Sequence, residues 1–304
     1  MTALVLAGAR LVMPPWLGFL VTNALAKSLA VLGVVLLMRA GLVSFGQALF
    51  YAGGAYASAY LIRAWEVREA VAHLAVGMLA GAMLAAMVGA LVARYREIFF
   101  AMLTLAFSMV FWGVVVGARD LTGGTDGLQI GRPTSIFGMP VAGNAGTGLY
   151  FLAVAVVATL FYVSFRLAHA PLGYLAQAIR ANEIRVTYLG GSVRTAIFIT
   201  FTWAGAMAGV GGSLEALNVA HIDPNVAVWT TSGEFVFVAL ISGIGSVIAP
   251  LVGTIGFEVA RSYITSWYPE LWQFVLGTLM LVIVLFLPGG LWSLYHRSRQ
   301  RAQA

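Results

Sequence analysis

Two ionisable residues interrupt long apolar stretches of this chain and are its first candidates for chemistry. Lys27 lies in LVTNALAKSLAVLG, and Glu258 lies in LVGTIGFEVARSY, three residues before Arg261. If these stretches cross a membrane, a charge within them is costly and by default marks a substrate or ion pathway. The spacing of Glu258 and Arg261 also permits a local pair on one helix. For Lys27, a hydrogen-bonded contact within the bundle or a side chain reaching toward the membrane interface is an equal alternative.

Other chemistry has little support in the sequence. There is no cysteine, and the histidines His73, His169, His221 and His296 are scattered along the chain. A metal site needs such residues clustered. No Gly-x-Ser-x-Gly elbow occurs, and Lys27, the only lysine, has no phosphate-binding loop around it. We therefore expect no catalytic residue, no metal and no cofactor in this chain.

Composition indicates the elements that must position these residues. The chain has 304 residues, of which 61% are hydrophobic and 9% charged, with 35 glycines. A helical membrane span needs about 20 mostly apolar residues. Such stretches fall near 17–38, 45–62, 71–93, 99–118, 149–166, 194–215 and 235–289. We predict an all-α polytopic membrane protein, a single transmembrane domain over residues 1–304 with about nine transmembrane or partly spanning helices.

The last apolar stretch contains a predicted break. SGIGSVIAP carries Gly243, Gly245, Ser246 and Pro250, residues that interrupt helices. The pattern favours two elements near 235–247 and 250–265, the first short enough to be a partial-depth or broken helix. Irregular backbone at membrane depth is tolerated only where protein or a water-filled cavity covers it.

Charge placement predicts the orientation. With this break, arginines 39, 94, 96, 166, 180, 185, 194, 297, 299 and 301 fall on one side of the membrane. Only Glu97 and Glu183 oppose them there, and Arg261, Glu215 and Glu234 fall on the other side. Basic residues accumulate in cytoplasmic loops. We therefore expect the C-terminus in the cytoplasm, the N-terminus outside, and a cytoplasmic loop at about 167–193.

That loop contains a polar, helix-like stretch, GYLAQAIRANEIRVTYLG. Leu172, Leu175, Ala176 and Ile179 have the spacing of one helical face, and Gly190 can end the segment. A short amphipathic helix of this kind suits either a lipid surface or the groove of a protein partner. The residues alone leave both alternatives open.

Two glycine-rich motifs complete the pattern. GLVSFGQALFYAGGAYASAY, residues 41–60, begins with polar Ser44 and Gln47, which at a helix start could face a pathway. RDLTGGTDGLQI, residues 119–130, has the composition of a tight turn with positive φ angles. A weak similarity links 41–56 with 243–258, and we interpret it as chance.

Together these motifs resemble one family, the permease subunits of bacterial ABC importers of the branched-chain amino acid type, in particular the M-type member of the permease pair. The resemblance rests on GLVSFGQALFYAGGAYASAYL, on FFAMLTLAFSMVF followed by LTGGTDGL, on PLGYLAQAIRANEIRVTYLG and on VFVALISGIGSVIAPLVGTIG. Tyr174 and Gln177 stand where the family often has basic residues.

The resemblance implies a function and its residues. It implies contact with an ATPase at Gly173, Ile179, Arg180, Glu183 and Gly190. We assign the translocation pathway to Ser44, Gln47, Gly53, Gly54, Gly243, Gly245 and Ser246, and a periplasmic turn to Thr122, Gly123, Gly124, Asp126 and Gly127.

It also implies an assembly. The expected partners are a homologous H-type permease, two cytosolic ATPase subunits that bind the ATP and Mg, a periplasmic solute-binding protein, and the lipid of a bacterial inner membrane. The expected substrate is a branched-chain amino acid or a related small amino acid, amide or carboxylate. A stand-alone secondary carrier or channel remains the alternative, motivated by Lys27, Glu258 and the broken helix near Gly245.

Overall fold

Helices make up most of the chain in a computed structural model that describes residues 13–131, 133, 135–136, 139–140, 145–267 and 269–286. In chain order they are α1 Pro15–Arg39, α2 Gln47–Trp65, α3 Ala70–Val92, α4 Glu97–Gly117, α5 Arg119–Thr122, α6 Ala145–Ala168, α7 Pro171–Ala181, α8 Glu183–Tyr188, α9 Val193–Val219, α10 Trp229–Ser242, α11 Ala249–Trp267 and α12 Trp272–Phe286. Within the described residues, five helices (α1, α3, α4, α6 and α9) are long and apolar enough to cross a membrane. The all-α polytopic prediction is confirmed, whereas the predicted number of about nine spans is not.

Four short strands lie between the helices. They are β1 Leu128–Gln129, β2 Ser135–Ile136, β3 Met139–Pro140 and β4 His221–Ile222. β1 pairs with β4, and β2 pairs with β3, both antiparallel. The β1–β4 pair ties the glycine-rich turn after α4 to the segment that follows α9.

Helix α9 lies at the centre of the bundle and packs against α1, α2 and α3. Its glycines allow backbones to come close: a Cβ placed on Gly209 would lie 2.2 Å from the carbonyl oxygen of Gly77, and one on Gly54 would lie 2.1 Å from that of Gly209. Small residues permit this approach where lipid supplies no hydrophobic driving force between helices. Apolar clusters on both sides of α9 complete the core.

Two breaks between helices have the same local form. Gly41 and Gly243 each adopt a positive φ, +80° and +94°. Three residues later, the Ser44 hydroxyl accepts a hydrogen bond from the Gly46 N–H, and the Ser246 hydroxyl accepts one from the Ile248 N–H. Helices α2 and α11 then begin, six residues after each of these glycines. The predicted break is thus confirmed. Residues 41–46 and 243–248 also share a backbone form, which would not be expected if the similarity of 41–56 to 243–258 were chance alone.

Helix α10 begins inside the bundle. After β4, a 3₁₀ turn at Pro224–Ala227 lies against α2 and α4, and the Ser108 hydroxyl donates to the carbonyl oxygen of Ala227 at 2.9 Å. Ser108 lies about 14 Å along the axis from the end of α4 at Gly117. Helix α10 has only 14 residues, and it starts and ends several residues earlier than predicted. Its length is that expected for a partial-depth or broken helix, which remains a prediction.

Arginines gather at one end of the bundle, which we call the basic end. There Arg180 packs over Gly41, and Arg96 pairs with Glu183. Among the described residues, this end has seven arginines (39, 94, 96, 166, 180, 185 and 194) against two glutamates (97 and 183). The opposite end holds the strands and the glycine-rich turn. The C-terminal tail, whose cytoplasmic location was predicted, lies outside the described residues.

Substituting Gly209 tests the close packing around α9. A Gly209→Ala methyl group would overlap the backbone of α3, and overpacking of this kind costs about 1–3 kcal/mol. We expect a lower thermal midpoint for the purified protein in detergent. The matched control is Gly113→Ala, because nothing lies within 4 Å of a Cβ on Gly113, and it should leave the midpoint unchanged or slightly higher. Equal midpoints for both variants would contradict this packing.

Candidate functional site

Four charged side chains meet inside the bundle. Lys27 of α1 donates to the Glu258 carboxylate of α11 at 2.9 Å, and its ammonium lies 4.0 Å from the Glu234 carboxylate of α10. The Arg261 guanidinium pairs with Glu234 and lies 3.9 Å from Glu258. We call Lys27, Glu234, Glu258 and Arg261 the ionic cluster. It joins α1 to the consecutive helices α10 and α11, which are distant from α1 in sequence.

The depth of the ionic cluster makes it unusual. Lys27 is the midpoint of the 25-residue helix α1, about 18 Å from either end. Its side chain is 16% exposed and that of Glu258 is 11% exposed. Two positive and two negative groups give the ionic cluster no net charge. A paired set of charges is tolerable at this depth, whereas a single unpaired one is costly.

The sequence predicted part of this arrangement. Lys27 is hydrogen-bonded within the bundle, one of the two alternatives, and Glu258 and Arg261 do approach along one helix. The residues assigned to the outer side, Arg261, Glu234 and Glu215, all belong to helices of the bundle. Glu215 of α9 accepts a hydrogen bond from the Tyr51 hydroxyl of α2. Charge counting did not indicate that these side chains have partners within the bundle.

Polar groups also surround the start of α2. Ser44 and Gln47 are fully buried, and the Ala48 N–H donates to the Ser232 hydroxyl of α10 at 2.8 Å. Neither amide atom of Gln47 has a hydrogen-bond partner among the described residues. Leaving a buried polar group unpaired costs about 1–3 kcal/mol. The starts of α2 and α10 therefore meet at a polar, strained point of the interior.

The glycines assigned to the pathway have different surroundings. A Cβ on Gly53 would lie 2.4 Å from the Leu84 side chain, and Gly54 lies against Gly209. Gly54 therefore requires glycine for helix packing, whereas at Gly53 only the end of the Leu84 side chain would have to move. Gly243 ends α10, and Gly245 and Ser246 lie in the break before α11, where a Cβ on Gly245 would meet open space.

The glycine-rich turn has the predicted backbone. Gly123, Gly124 and Gly127 adopt φ angles of +77°, +61° and +71°. The Thr122 hydroxyl donates to the carbonyl oxygen of Ala118 at 2.8 Å and accepts from the Gly124 N–H. Asp126 is exposed at the end of the 3₁₀ turn Gly124–Asp126. A Cβ on Gly127 would lie 2.3 Å from the carbonyl oxygen of Ile222, so the turn packs closely on β4.

The loop at 167–193 forms two short helices at the basic end, α7 and α8. Asn182 separates them, and its side chain accepts from the Arg185 N–H at 2.9 Å as the N-cap of α8. Gly190 ends the pair with φ +82°. A Cβ on Gly173 would lie 2.2 Å from the carbonyl oxygen of Ala168, so only glycine fits there. The positions assigned to ATPase contact thus lie in one compact unit.

The apolar stripe of α7 faces the bundle. Ile179 is buried in the core, and Leu172 and Leu175 pack against the same cluster. It is therefore not the stripe that a partner groove would take. Arg180 and Glu183 contact the bundle too: Arg180 packs over Gly41, and Glu183 accepts from Arg96 at 2.8 Å. The remaining side of α7 and α8 is an exposed face.

Large apolar side chains project from that exposed face. Tyr188 is 88% and Leu189 82% exposed, and Ile184 and Tyr174 are mostly exposed too. We call these four residues the exposed loop surface. Sequence reasoning missed it because Tyr188 and Leu189 fall at the end of the loop, outside the helical stripe of α7.

No group of three or more histidine, cysteine or acidic side chains that could hold a metal forms in the part of the chain that the structure describes. The ionic cluster is instead balanced by its own lysine and arginine. Its chemistry is electrostatic pairing.

Comparison with known proteins gives the family. Residues 17–284 match the family described as the branched-chain amino acid transport system permease component. The chain belongs to this family. It is accordingly a membrane permease component by family.

Two curated relatives match as well. The chain is 28% identical over 273 residues to the high-affinity branched-chain amino acid transport system permease protein LivM of Escherichia coli K12, and 27% identical to that of Salmonella typhimurium LT2. The matches cover 83% of this chain and 64% of the length of each relative. No solved structure matches it significantly.

Removing one member of the ionic cluster tests its pairing. Lys27→Met leaves Glu258 without its closest cation, and breaking a buried pair in this way costs about 3–5 kcal/mol. We expect a marked fall in the thermal midpoint of the purified protein. The double variant Lys27→Met with Glu258→Gln removes both charges of the pair and should recover much of the loss. If the double variant had the same thermal midpoint as Lys27→Met, loss of the Lys27–Glu258 pair would not be the cause of the lower midpoint.

Proposed function

We propose that this chain is one permease subunit of an ATP-driven importer for branched-chain amino acids or a related small amino acid, amide or carboxylate. The single observation that carries the proposal is the exposed loop surface at the basic end. An exposed patch of large apolar side chains often marks a site of interaction with another protein. Family membership gives the transport class, and this surface supplies a place for an energy-supplying partner.

The proposed orientation places the basic end in the cytoplasm of a bacterial inner membrane. Seven arginines against two glutamates at that end, within the described ranges, follow the rule for cytoplasmic loops. The glycine-rich turn and the strands would then face the periplasm. A solute-binding protein would dock on that side, and the two ATPase subunits would bind ATP and Mg on the other.

The proposed coupling runs through α7 and α8. These helices touch the bundle through Ile179 and through the Arg96–Glu183 pair, while their other face is free for an ATPase. Arg180 packs over Gly41, directly before the break that leads into α2. Closure of the ATPase subunits would therefore shift the polar start of α2, where Ser44 and Gln47 lie. Such coupling requires that the ATPase bind the two states of the bundle with different affinity.

The proposed pathway lies between this chain and a homologous H-type permease. Two exposed polar residues, Asn225 in the 3₁₀ turn before α10 and Thr230 in the first turn of α10, lie where lipid tails would leave them unsolvated. A water-filled path or a second permease would cover them. The broken helices α2 and α10 would supply the elements that move in alternating access.

Truncating the exposed loop surface tests the assignment. Tyr188→Ala with Leu189→Ala removes two large side chains, each worth about 1–2 kcal/mol at a docking site. We expect ATPase stimulation by loaded binding protein, and solute uptake, to fall about tenfold or more in the assembled transporter. The matched control is Tyr95→Ala, a tyrosine at the same end outside the loop, which should leave both rates unchanged. Unchanged rates in the double variant would refute the docking role.

The alternative is a stand-alone secondary carrier, which the ionic cluster at mid-depth favours. The two functions differ in what the chain does alone. A carrier reconstituted by itself in liposomes would move leucine down its gradient without ATP, whereas an importer subunit would not. Robust flux of this kind would exclude the importer proposal.

A further inference from the structure

A cavity of about 520 Å³ lies between α1 and α11, next to the ionic cluster; it is open to the outside, and most of its lining residues are exposed. Trp16, near the start of α1, and Ser266, near the end of α11, line the part of the cavity that is farthest from the basic end. Glu258 and Arg261 line it at the depth of the ionic cluster. The cavity therefore connects the middle of the bundle with the end that we place outside. Its volume lies within the range of about 300–1,000 Å³ usual for small-molecule sites.

The two walls of the cavity differ in chemistry. Helix α1 contributes the apolar side chains of Trp16, Phe19 and Leu20 and, nearer the ionic cluster, the amide of Asn23. Helix α11 contributes the hydroxyls of Ser262 and Thr265 above the two charges. A ligand that fits both walls has an apolar side and a polar or charged side. A lipid acyl chain would leave the hydroxyl wall unpaired.

The charges restrict the ligand further. Glu258 and Arg261 present a carboxylate and a guanidinium 3.9 Å apart on one wall. The ionic cluster as a whole has no net charge, so a ligand with one net charge would leave an uncompensated charge at mid-depth. A zwitterion adds none, and its ammonium and carboxylate match the two groups in sign. Arginine is also well suited to carboxylate recognition.

We propose that this cavity binds an amino-acid zwitterion with an apolar side chain. The ammonium donates to the Glu258 carboxylate, and the Arg261 guanidinium and the Ser262 hydroxyl donate to the carboxylate of the ligand. The apolar side chain lies against Phe19 and Leu20. This assignment rests on the proposed function in one respect, that the cavity faces the side from which solute arrives.

The absence of cysteine in the chain allows a direct test. Ser262→Cys places a thiol in the cavity, and Thr125→Cys places one in an exposed turn at the same end, away from it. The assembled transporter in nanodiscs, without binding protein, is treated with a thiol-reactive dye, and labelling of this chain is followed with time. Saturating leucine should slow labelling of Ser262→Cys about tenfold, because about nine tenths of sites are then occupied. Thr125→Cys should label at an unchanged rate.

Two leucine analogues test the zwitterion. 3-Methylbutylamine lacks the carboxylate and 4-methylpentanoate lacks the ammonium, so neither should slow labelling at the same concentration. Equal protection by either analogue would refute the paired-charge assignment. Protection by added phospholipid but not by leucine would show that the cavity holds lipid instead, and no protection by leucine would overturn the site.

A second variant tests the apolar wall. Phe19→Trp enlarges a partly exposed side chain of the cavity, and we expect it to weaken protection by leucine several-fold while protection by alanine changes little. If Phe19→Trp weakened protection by leucine and protection by alanine equally, the effect would be structural, and the assignment of Phe19 to the apolar wall would be refuted.

The site and the proposed function can fail separately. ATP-driven leucine uptake by the assembled transporter, with no protection of Ser262→Cys, would refute the site alone. Protection by leucine without any ATP-driven uptake would refute the function alone.

Discussion

The constraint on which this structure depends is that lipid offers no partner to a polar group, so each one must find its partner inside the protein. Helices satisfy their own backbones, and the glycines of α9 let those helices pack closely. Where helices break, at 41–46 and 243–248, a serine hydroxyl accepts a backbone N–H in the same way in both places. The charges of Lys27, Glu234, Glu258 and Arg261 follow the same rule by pairing with each other.

Exceptions to that rule coincide with the parts that a transporter must move. The amide of Gln47 is buried without a partner in the described part of the chain, next to the first turn of α10. The exposed loop surface leaves Tyr188 and Leu189 in water. Both features cost stability in the state described here, and each is explained if another state or another subunit covers it. Arg180 packs over Gly41, so the loop contacts the break that leads into α2.

Much of the fold was predictable from the sequence, because apolar length, glycine and proline determine where membrane helices run and stop. The break before Pro250 and the positive φ angles of LTGGTDGL follow from residue type alone. The inward position of Glu234 and Arg261 was not predictable, since a charge inside a bundle needs partners from helices distant in sequence. Periodicity found the apolar stripe of α7 at Ile179 but could not show that the bundle itself covers it.

If the proposed function is correct, this permease moves solute only when its assembly hydrolyses ATP. The most direct measurement is leucine uptake by the complete transporter in proteoliposomes, with binding protein on one side and ATP on the other. The proposed function predicts accumulation of leucine against its gradient with ATP, and none with a non-hydrolysable analogue or when this chain is omitted. Equal uptake with ATP and with the analogue would contradict it.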